Sequence, residues 1–289
     1  NQGNVWCGTD GFGIIKINHL THKKEYFFYS KTNSLQLNKS TALFIDSQNR
    51  LWIGGYLVNS ISAYNISSKQ LAGYKVQGIS KRNGTNQKTY SFYEDFENRI
   101  WTSIVDYHSA EGNLYYLDKD QDEFLNYGNL ISGDIVTKFS DSFNTIRSIT
   151  GDDKGNIWFT SLLSGIFRFR FGENPTAYYK ESPSKDSRIN CIYLTKNGIL
   201  WLGTNGSGIE ISMLDNMDFN LVSYKFNKEF TIESIRTFAE DENNFWVGGY
   251  YGLAKMKKDF SQIETIDNSS VYTIVNSPNN KNILWTGSE

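Results

Sequence analysis

Residues 155–160 read Gly-Asn-Ile-Trp-Phe-Thr, and the phrase returns as Asn-Arg-Leu-Trp-Ile-Gly-Gly from Asn49 and Gly-Ile-Leu-Trp-Leu-Gly-Thr from Gly198. A tryptophan stands at the centre each time. The tryptophans fall at 6, 52, 101, 158, 201, 246 and 285, with gaps of 46, 49, 57, 43, 45 and 39 residues and a mean of 46.5. All seven tryptophans of the chain belong to this series, so it marks an internal repeat.

The surroundings repeat as well. Ahead of the tryptophan comes a polar turn, as in DSQNR, EDFENR, DDKGN and EDENN. Ahead of the turn lies a strand-like run: TALFID from Thr41, TYSFYED from Thr89, TIRSIT from Thr145, INCIYLT from Ile189, SIRTFAE from Ser234 and VYTIVN from Val271. A third run follows the tryptophan (GIIKIN, SISAYN, GNLYYLD, GIFRFR, GIEIS, GLAKMK), and most units add a fourth, such as KEYFFYS, DEFLNYG or FSQIETID. These runs have strand length and alternate apolar with other positions, and no segment shows a helical period.

Four short antiparallel strands in about 46 residues, repeated along the chain, predict an all-β fold, a β-propeller of six to seven four-stranded blades. One four-stranded sheet cannot bury both faces alone and must stack on its neighbours. Trp6, Trp52, Trp101, Trp158, Trp201, Trp246 and Trp285, on the second strand of each unit, are read as structural side chains filling the layers between blades. The glycine two positions on, as in Trp201-Leu202-Gly203, suits close backbone approach or a bend.

Composition agrees with this and narrows the function. The chain has 289 residues, 15% of them aromatic and only 3 of them proline, a strand-rich and not a disordered balance. The 29 basic and 31 acidic residues give a net charge of −2, and no basic cluster could neutralise a run of phosphates, so no nucleic-acid partner is expected. No apolar stretch approaches a membrane span, and the first residues lack a signal-peptide pattern. The chain is read as soluble, either mature or cut from something larger. Cys7 and Cys191 are too few for a disulfide framework and are read as buried free thiols.

The phrase running from Asp152 to Phe169, and WLGTNGSGIEI within Asn197 to Ser212, resembles the two-component regulator propeller repeat. The resemblance covers the chain at blade spacing, with departures at Trp101, followed by TSIVDY, and at Thr195, which replaces the turn aspartate. It implies the periplasmic sensor region of a hybrid two-component histidine kinase, recognising an oligosaccharide or glycan fragment without catalysis. It also implies a neighbouring propeller and an immunoglobulin-like domain in the same chain, a homodimeric full-length sensor, and no cofactor. A protein-interaction scaffold is the alternative. A streptogramin-lyase-like enzyme is a further one, because GNIWFT is close to the repeat phrase of those propellers.

If the first strand of each blade is innermost, the short first-to-second turns share one face. The variable second-to-third and fourth-to-first connections then share the other. Function tends to sit on variable loops of a rigid scaffold, and these carry Asp10, Tyr56, Asn59, Tyr107, His108, Asn205, Tyr250 and Tyr251. Aromatic rings beside Asn and Asp suit a sugar, stacking on its C–H faces and bonding its hydroxyls. They are the candidate ligand-binding residues.

Other chemistry was sought and not found. His19 and His22 form an H-x-x-H pair without a third ligand of suitable spacing, so no metal site is expected. DDKGN is too short for a calcium loop, and Asp152 is read as closing its hairpin through an Asx-type bond. Gly203–Gly208 leads into a strand and offers no helix N-terminus to a phosphate. No nucleophile elbow exists and no catalytic residues are proposed. The repeat count sets seven tryptophan strands against six innermost strands. Residues 1–289 are therefore read as one propeller, a slice of a longer repeat-containing ectodomain, with seven blades favoured for the intact ring.

Overall fold

The computed structural model describes residues 3–28, 39–55, 60–78, 87–106, 114–130, 146–161, 165–173, 175–178, 188–214, 220–221, 232, 234–277 and 280–288. The chain divides into two compact units, Asn1–Ser161 with Phe167–Thr176, and Leu162–Ile166 with Ala177–Glu289. Each is taken in turn.

The first unit begins with a three-stranded sheet of β1 (Asn4–Gly8), β2 (Ile14–Asn18) and β3 (Lys24–Phe27). Two four-stranded meanders follow: β4 (Ser40–Ile45), β5 (Arg50–Gly55), β6 (Ser60–Asn65) and β7 (Gln70–Val76), then β8 (Gln87–Glu94), β9 (Ile100–Asp106), β10 (Leu114–Asp118) and β11 (Glu123–Asn126). β12 (Ile146–Gly151), β13 (Ile157–Ser161), β14 (Gly165–Phe169) and β15 (Thr176–Tyr178) form a third, which falls mostly in this unit. The second unit holds β16 (Ile189–Leu194), β17 (Ile199–Thr204), β18 (Ile209–Met213) and β19 (Asn220–Leu221). β20 (Ile235–Glu240), β21 (Asn244–Gly249), β22 (Gly252–Lys257) and β23 (Ile263–Asp267) come next, and β24 (Val271–Ser277) pairs with β25 (Asn280–Ser288). These antiparallel meanders are the blades of a β-propeller.

The strand runs read from sequence match these elements to within a few residues at their ends. The only helix among the described residues is a single turn, Tyr127–Leu130, which no periodicity announced. A second departure concerns the outer strands. β7 and β11 pair in parallel, Glu123 opposite Lys75 and Phe124 opposite Val76, so two successive blades share one eight-stranded ladder. Gln77 N–H donates to the Phe124 carbonyl at 2.8 Å, and Phe124 is wholly buried beneath that seam.

First strands of successive blades lie side by side within each unit. Thr41 Oγ1 donates to the Thr89 carbonyl (2.7 Å) and Ile149 N–H to Ser91 Oγ (3.2 Å) in the first unit. Ile274 N–H donates to Thr237 Oγ1 (3.2 Å) in the second. The repeated glycine is where they meet. A Cβ on Gly54 would stand 2.5 Å from Thr89 Cβ, and one on Gly203 2.6 Å from Ile235 Cγ2. At these two positions a side chain would displace the next blade's first strand, so glycine stands there, whereas Ser103 and Thr160 occupy the equivalent register of two other blades.

Trp52, Trp101, Trp158 and Trp201 are at most 1% exposed. Trp52 packs on Phe92 and Phe124 of the following blade (ring centroids 6.4 and 5.7 Å) and Trp101 on Phe169 (5.4 Å). Trp201 meets Phe238, Phe245 and Phe260 at 5.8, 4.3 and 5.6 Å. The expectation of a buried layer needs correcting for the remaining three. Trp6, Trp246 and Trp285 are only half-buried. Trp246 packs against Val271 and Ile274 of the sheet β24–β25, which is two-stranded among the described residues, where Trp52 meets a four-stranded blade.

A further role of the indole was not read from sequence. Trp52 Nε1–H donates to Asp46 Oδ2 (2.8 Å), Trp101 to Asp95 (2.9 Å), Trp158 to Asp152 (2.9 Å) and Trp246 to Asp241 (2.8 Å). The other oxygen of each turn aspartate accepts backbone N–H groups, as Asp152 Oδ1 does from Lys154 and Asn156, confirming the Asx closure. Asp46 and Asp95 also hold Arg50 and Arg99 at 2.6 and 2.8 Å. The turn aspartate thus ties strand one, its turn and the blade-filling indole together. In the blade with Thr195 this acceptor is missing, and Trp201 Nε1 is buried with no partner among the described residues.

Candidate functional site

Each first strand carries a β-bulge at one register. The irregularities lie between Ser40 and Ala42, Thr89 and Ser91, Ile146 and Ser148, Ile189 and Cys191, Ile235 and Thr237, and Val271 and Thr273. The first-named residue of every pair stands opposite the third residue after a tryptophan: Gly55, Ile104, Ser161, Thr204, Gly249 or Ser288. This is the end of the blade away from the aspartate turn, where the second-to-third and fourth-to-first connections enter. A bulge re-aims one side chain off the ladder. The residues so displayed are Thr41, Tyr90 and Arg147 in the first unit and Asn190, Arg236 and Tyr272 in the second.

In the second unit three of the sequence-predicted residues gather beside the bulged ones. Tyr250 and Tyr251 occupy the turn between β21 and β22, with ring centroids 6.4 Å apart and Tyr251 65% exposed at a φ of 65°. Tyr250 meets Tyr272 edge-on at 5.8 Å, and the Arg236 guanidinium lies 4.6 Å from the Tyr250 ring centroid. Ser234 joins Asn205 to this group. Its Oγ donates to Asn205 Oδ1 (2.7 Å) and accepts from Asn190 Nδ2 (3.1 Å), while its carbonyl accepts Tyr250 N–H (3.1 Å). The patch thus offers aromatic faces, the Asn205 amide and a cation on the predicted loop-bearing end, with Asn190 buried beneath.

In the first unit Asp10 is exposed in the β1–β2 turn and ion-pairs with Lys39 at 3.1 Å. Tyr56, Asn59, Tyr107 and His108 lie outside the described residues. The bulged Arg147 stacks on the bulged Tyr90 at 4.2 Å, with Lys88 Nζ 4.8 Å from the same ring. Sequence reading missed Arg147, Arg236 and Tyr272. A spacing could have found Arg147, since Thr41, Tyr90, Arg147 and Asn190 each stand 11 residues before their tryptophan, but Arg236 and Tyr272 fall outside it.

A cleft of ≈ 800 Å³ opens in the first unit, lined among others by Trp6, Phe27, Tyr64, Asn49 and Lys69. Its turn residues Asn49 and Lys69 belong to the β4–β5 and β6–β7 turns, the face opposite to that predicted for binding. Trp6 and Tyr64 have ring centroids 6.3 Å apart there, so the cleft is a partly open stretch of the aromatic layer between two sheets. His19 and His22 sit at the β2–β3 hairpin, where His22 takes a φ of 56°. Both cysteines are free. Burial pushes the Cys191 thiol up to about 12, so it sits there as a small apolar group, whereas Cys7 is half-buried.

The comparisons with known proteins agree with this architecture. Residues 34–56 and 183–206 match the two-component regulator propeller model, so the chain carries that repeat at two places. No curated protein matches it. The extracellular domain of BT3049 from B. thetaiotaomicron, assigned as a hybrid two-component system, superposes with a TM-score of 0.76 at 23% identity over 100% of this chain and 36% of its own. That of BT4673 from the same organism gives 0.75 at 19% identity, over 100% of this chain and 38% of its own. Virginiamycin B lyase from Staphylococcus aureus gives 0.70 at 17% identity, over 100% of this chain and 89% of its own. The chain spans little more than a third of the two ectodomains. At these identities the likeness establishes the β-propeller fold.

Proposed function

We propose that this chain is a non-catalytic, extracytoplasmic ligand-sensing propeller of a transmembrane two-component regulator, and that its ligand is an oligosaccharide. The observation that carries the reading is the group of Tyr250, Tyr251 and Tyr272 beside Asn205 and Ser234, on a scaffold bearing two-component regulator propeller repeats. Exposed tyrosine faces next to side-chain amides are the chemistry that a pyranose ring and its hydroxyls call for. The full-length protein then places this module in the periplasm, beside a second propeller and an immunoglobulin-like domain, and works as a dimer. The span of little more than a third of the two sensor ectodomains supports that arrangement. Among the described residues no helix is long and apolar enough to cross a membrane, so the anchor belongs elsewhere in this proposal.

The test is a glycan array followed by calorimetry on the purified chain. An oligosaccharide is expected to bind, and the Tyr250→Ala/Tyr251→Ala double variant to weaken it. Full affinity in that variant moves the site to the cleft beside Trp6. The fold shared with virginiamycin B lyase keeps one rival in play, and turnover of a streptogramin by the purified chain would refute the non-catalytic reading.

A further inference from the structure

We infer that Arg236 receives an oxyanion of the ligand, the carboxylate or sulfate ester of an acidic glycan. The inference rests on the reading of this patch as a sugar site and names the class of sugar.

Two arginines of the aspartate turns have acidic partners in hand: Arg50 holds Asp46, and Arg99 holds Asp95 and Glu97. Arg236 differs. It makes no ion pair among the described residues, and its Nε is buried with no acceptor there. The β-bulge against Gly249 and Gly248 lifts it off the ladder at the loop-bearing end. Stacking on Tyr250 at 4.6 Å, with Tyr272 braced against that ring, restricts the plane of the guanidinium. A planar fork of donors held without a carboxylate suits a bidentate oxyanion, and stacking lowers the entropy lost when one arrives.

The arrangement is not an accident of one blade. Arg147 occupies the same bulge register in the first unit, stacks on Tyr90 at 4.2 Å, makes no ion pair among the described residues and has the same unmet buried Nε. Lys88 adds a second positive charge at that ring. In a chain of net charge −2, two arginines at one structural position, neither ion-paired among the described residues, are a local departure from the whole. Buried Ser234 holds Asn205 by its Oδ1, which leaves the Asn205 amide nitrogen for a neighbouring hydroxyl.

The experiment is isothermal calorimetry on the whole chain with four probes: trigalacturonate, its methyl ester, a sulfated galactan oligosaccharide and neutral galactotriose. One acidic probe is expected to bind, more weakly as salt rises, and which one identifies carboxylate or sulfate. Arg236→Gln and Arg236→Lys should each lower that affinity about tenfold or more, lysine failing because an ammonium lacks the fork. Lys196→Ala, in the aspartate-type turn at the opposite end of a blade, should leave it unchanged. Galactotriose binding as tightly as the acidic probes would overturn the inference and leave the sugar-sensing proposal standing. Acidic-probe affinity unchanged in both Arg236 variants would overturn it too. Failure of all four probes to bind would overturn the inference, while the sugar-sensing proposal stands or falls on the glycan array.

Discussion

The blade holding Trp201 lacks the carboxylate that its sisters use, and restoring it should stabilise the protein. Trp201 Nε1 is buried without an acceptor, whereas Trp52, Trp101 and Trp158 reach an aspartate oxygen at 2.8–2.9 Å. An unmet buried donor costs about 1–3 kcal/mol. Thr195 already accepts Ile199 N–H at 3.0 Å and closes its turn, so an aspartate there would keep that bond and add the bond to the indole. Thr195→Asp alone, however, buries a charge, because Thr195 is 4% exposed. The sister turns offset that cost four residues on, with Arg50, Arg99 or Asn156, where this blade has Ile199. Thr195→Asp/Ile199→Arg should therefore gain about 1–3 kcal/mol, read as roughly 2–4 °C of Tm per kcal/mol, and exceed Thr195→Asp alone. Differential scanning calorimetry measures both. A double variant no more stable than wild type would refute the idea that this indole is unsatisfied.

Gly203→Ala should cost about 1–3 kcal/mol by overpacking, since its Cβ would meet Cys191 Sγ at 2.5 Å, while Gly73→Ala, with no atom within 4 Å, should fall within about 0.5 kcal/mol of wild type. Equal losses of Tm would contradict the close-approach reading. The Cys191 thiol, raised by burial from 9.0 to about 12, favours the folded protein while it stays protonated. Because the unfolded thiol ionises first, that stability is complete below pH 9 and lost as pH rises towards 12. Denaturant midpoints across this window should fall less in Cys191→Ala than in wild type, and parallel declines would refute the assignment.

The repeat was legible because one large side chain recurs at blade spacing, and the strands around it alternate plainly. Asp152 was readable as a hairpin closure because an aspartate before a Gly-Asn turn has few other uses. Its bond to Trp158 was not readable, since the two lie six residues apart and meet only once the hairpin register is known. The bulges were hidden for a similar reason. One inserted residue leaves no mark on composition, and only pairing against the tryptophan strand shows that Arg236 leaves the ladder. Tyr250, Tyr251 and Asn205 were found because they follow tryptophan strands directly, whereas Tyr272 sits in a run that reads as an ordinary strand. The parallel seam of β7 and β11 depends on two outer strands meeting across blades, and no local pattern encodes that.

The aspartate–indole tie has a consequence for how such a chain can change over evolutionary time. It fastens the four blades that carry it at one end only, through the first turn and the second strand, and asks nothing of the connections at the other end. Mutations and insertions in those connections therefore meet little selective resistance from the scaffold. Recognition can diversify quickly while the framework stays under a separate, slower constraint. A lineage can acquire a new ligand without first having to reinvent its architecture.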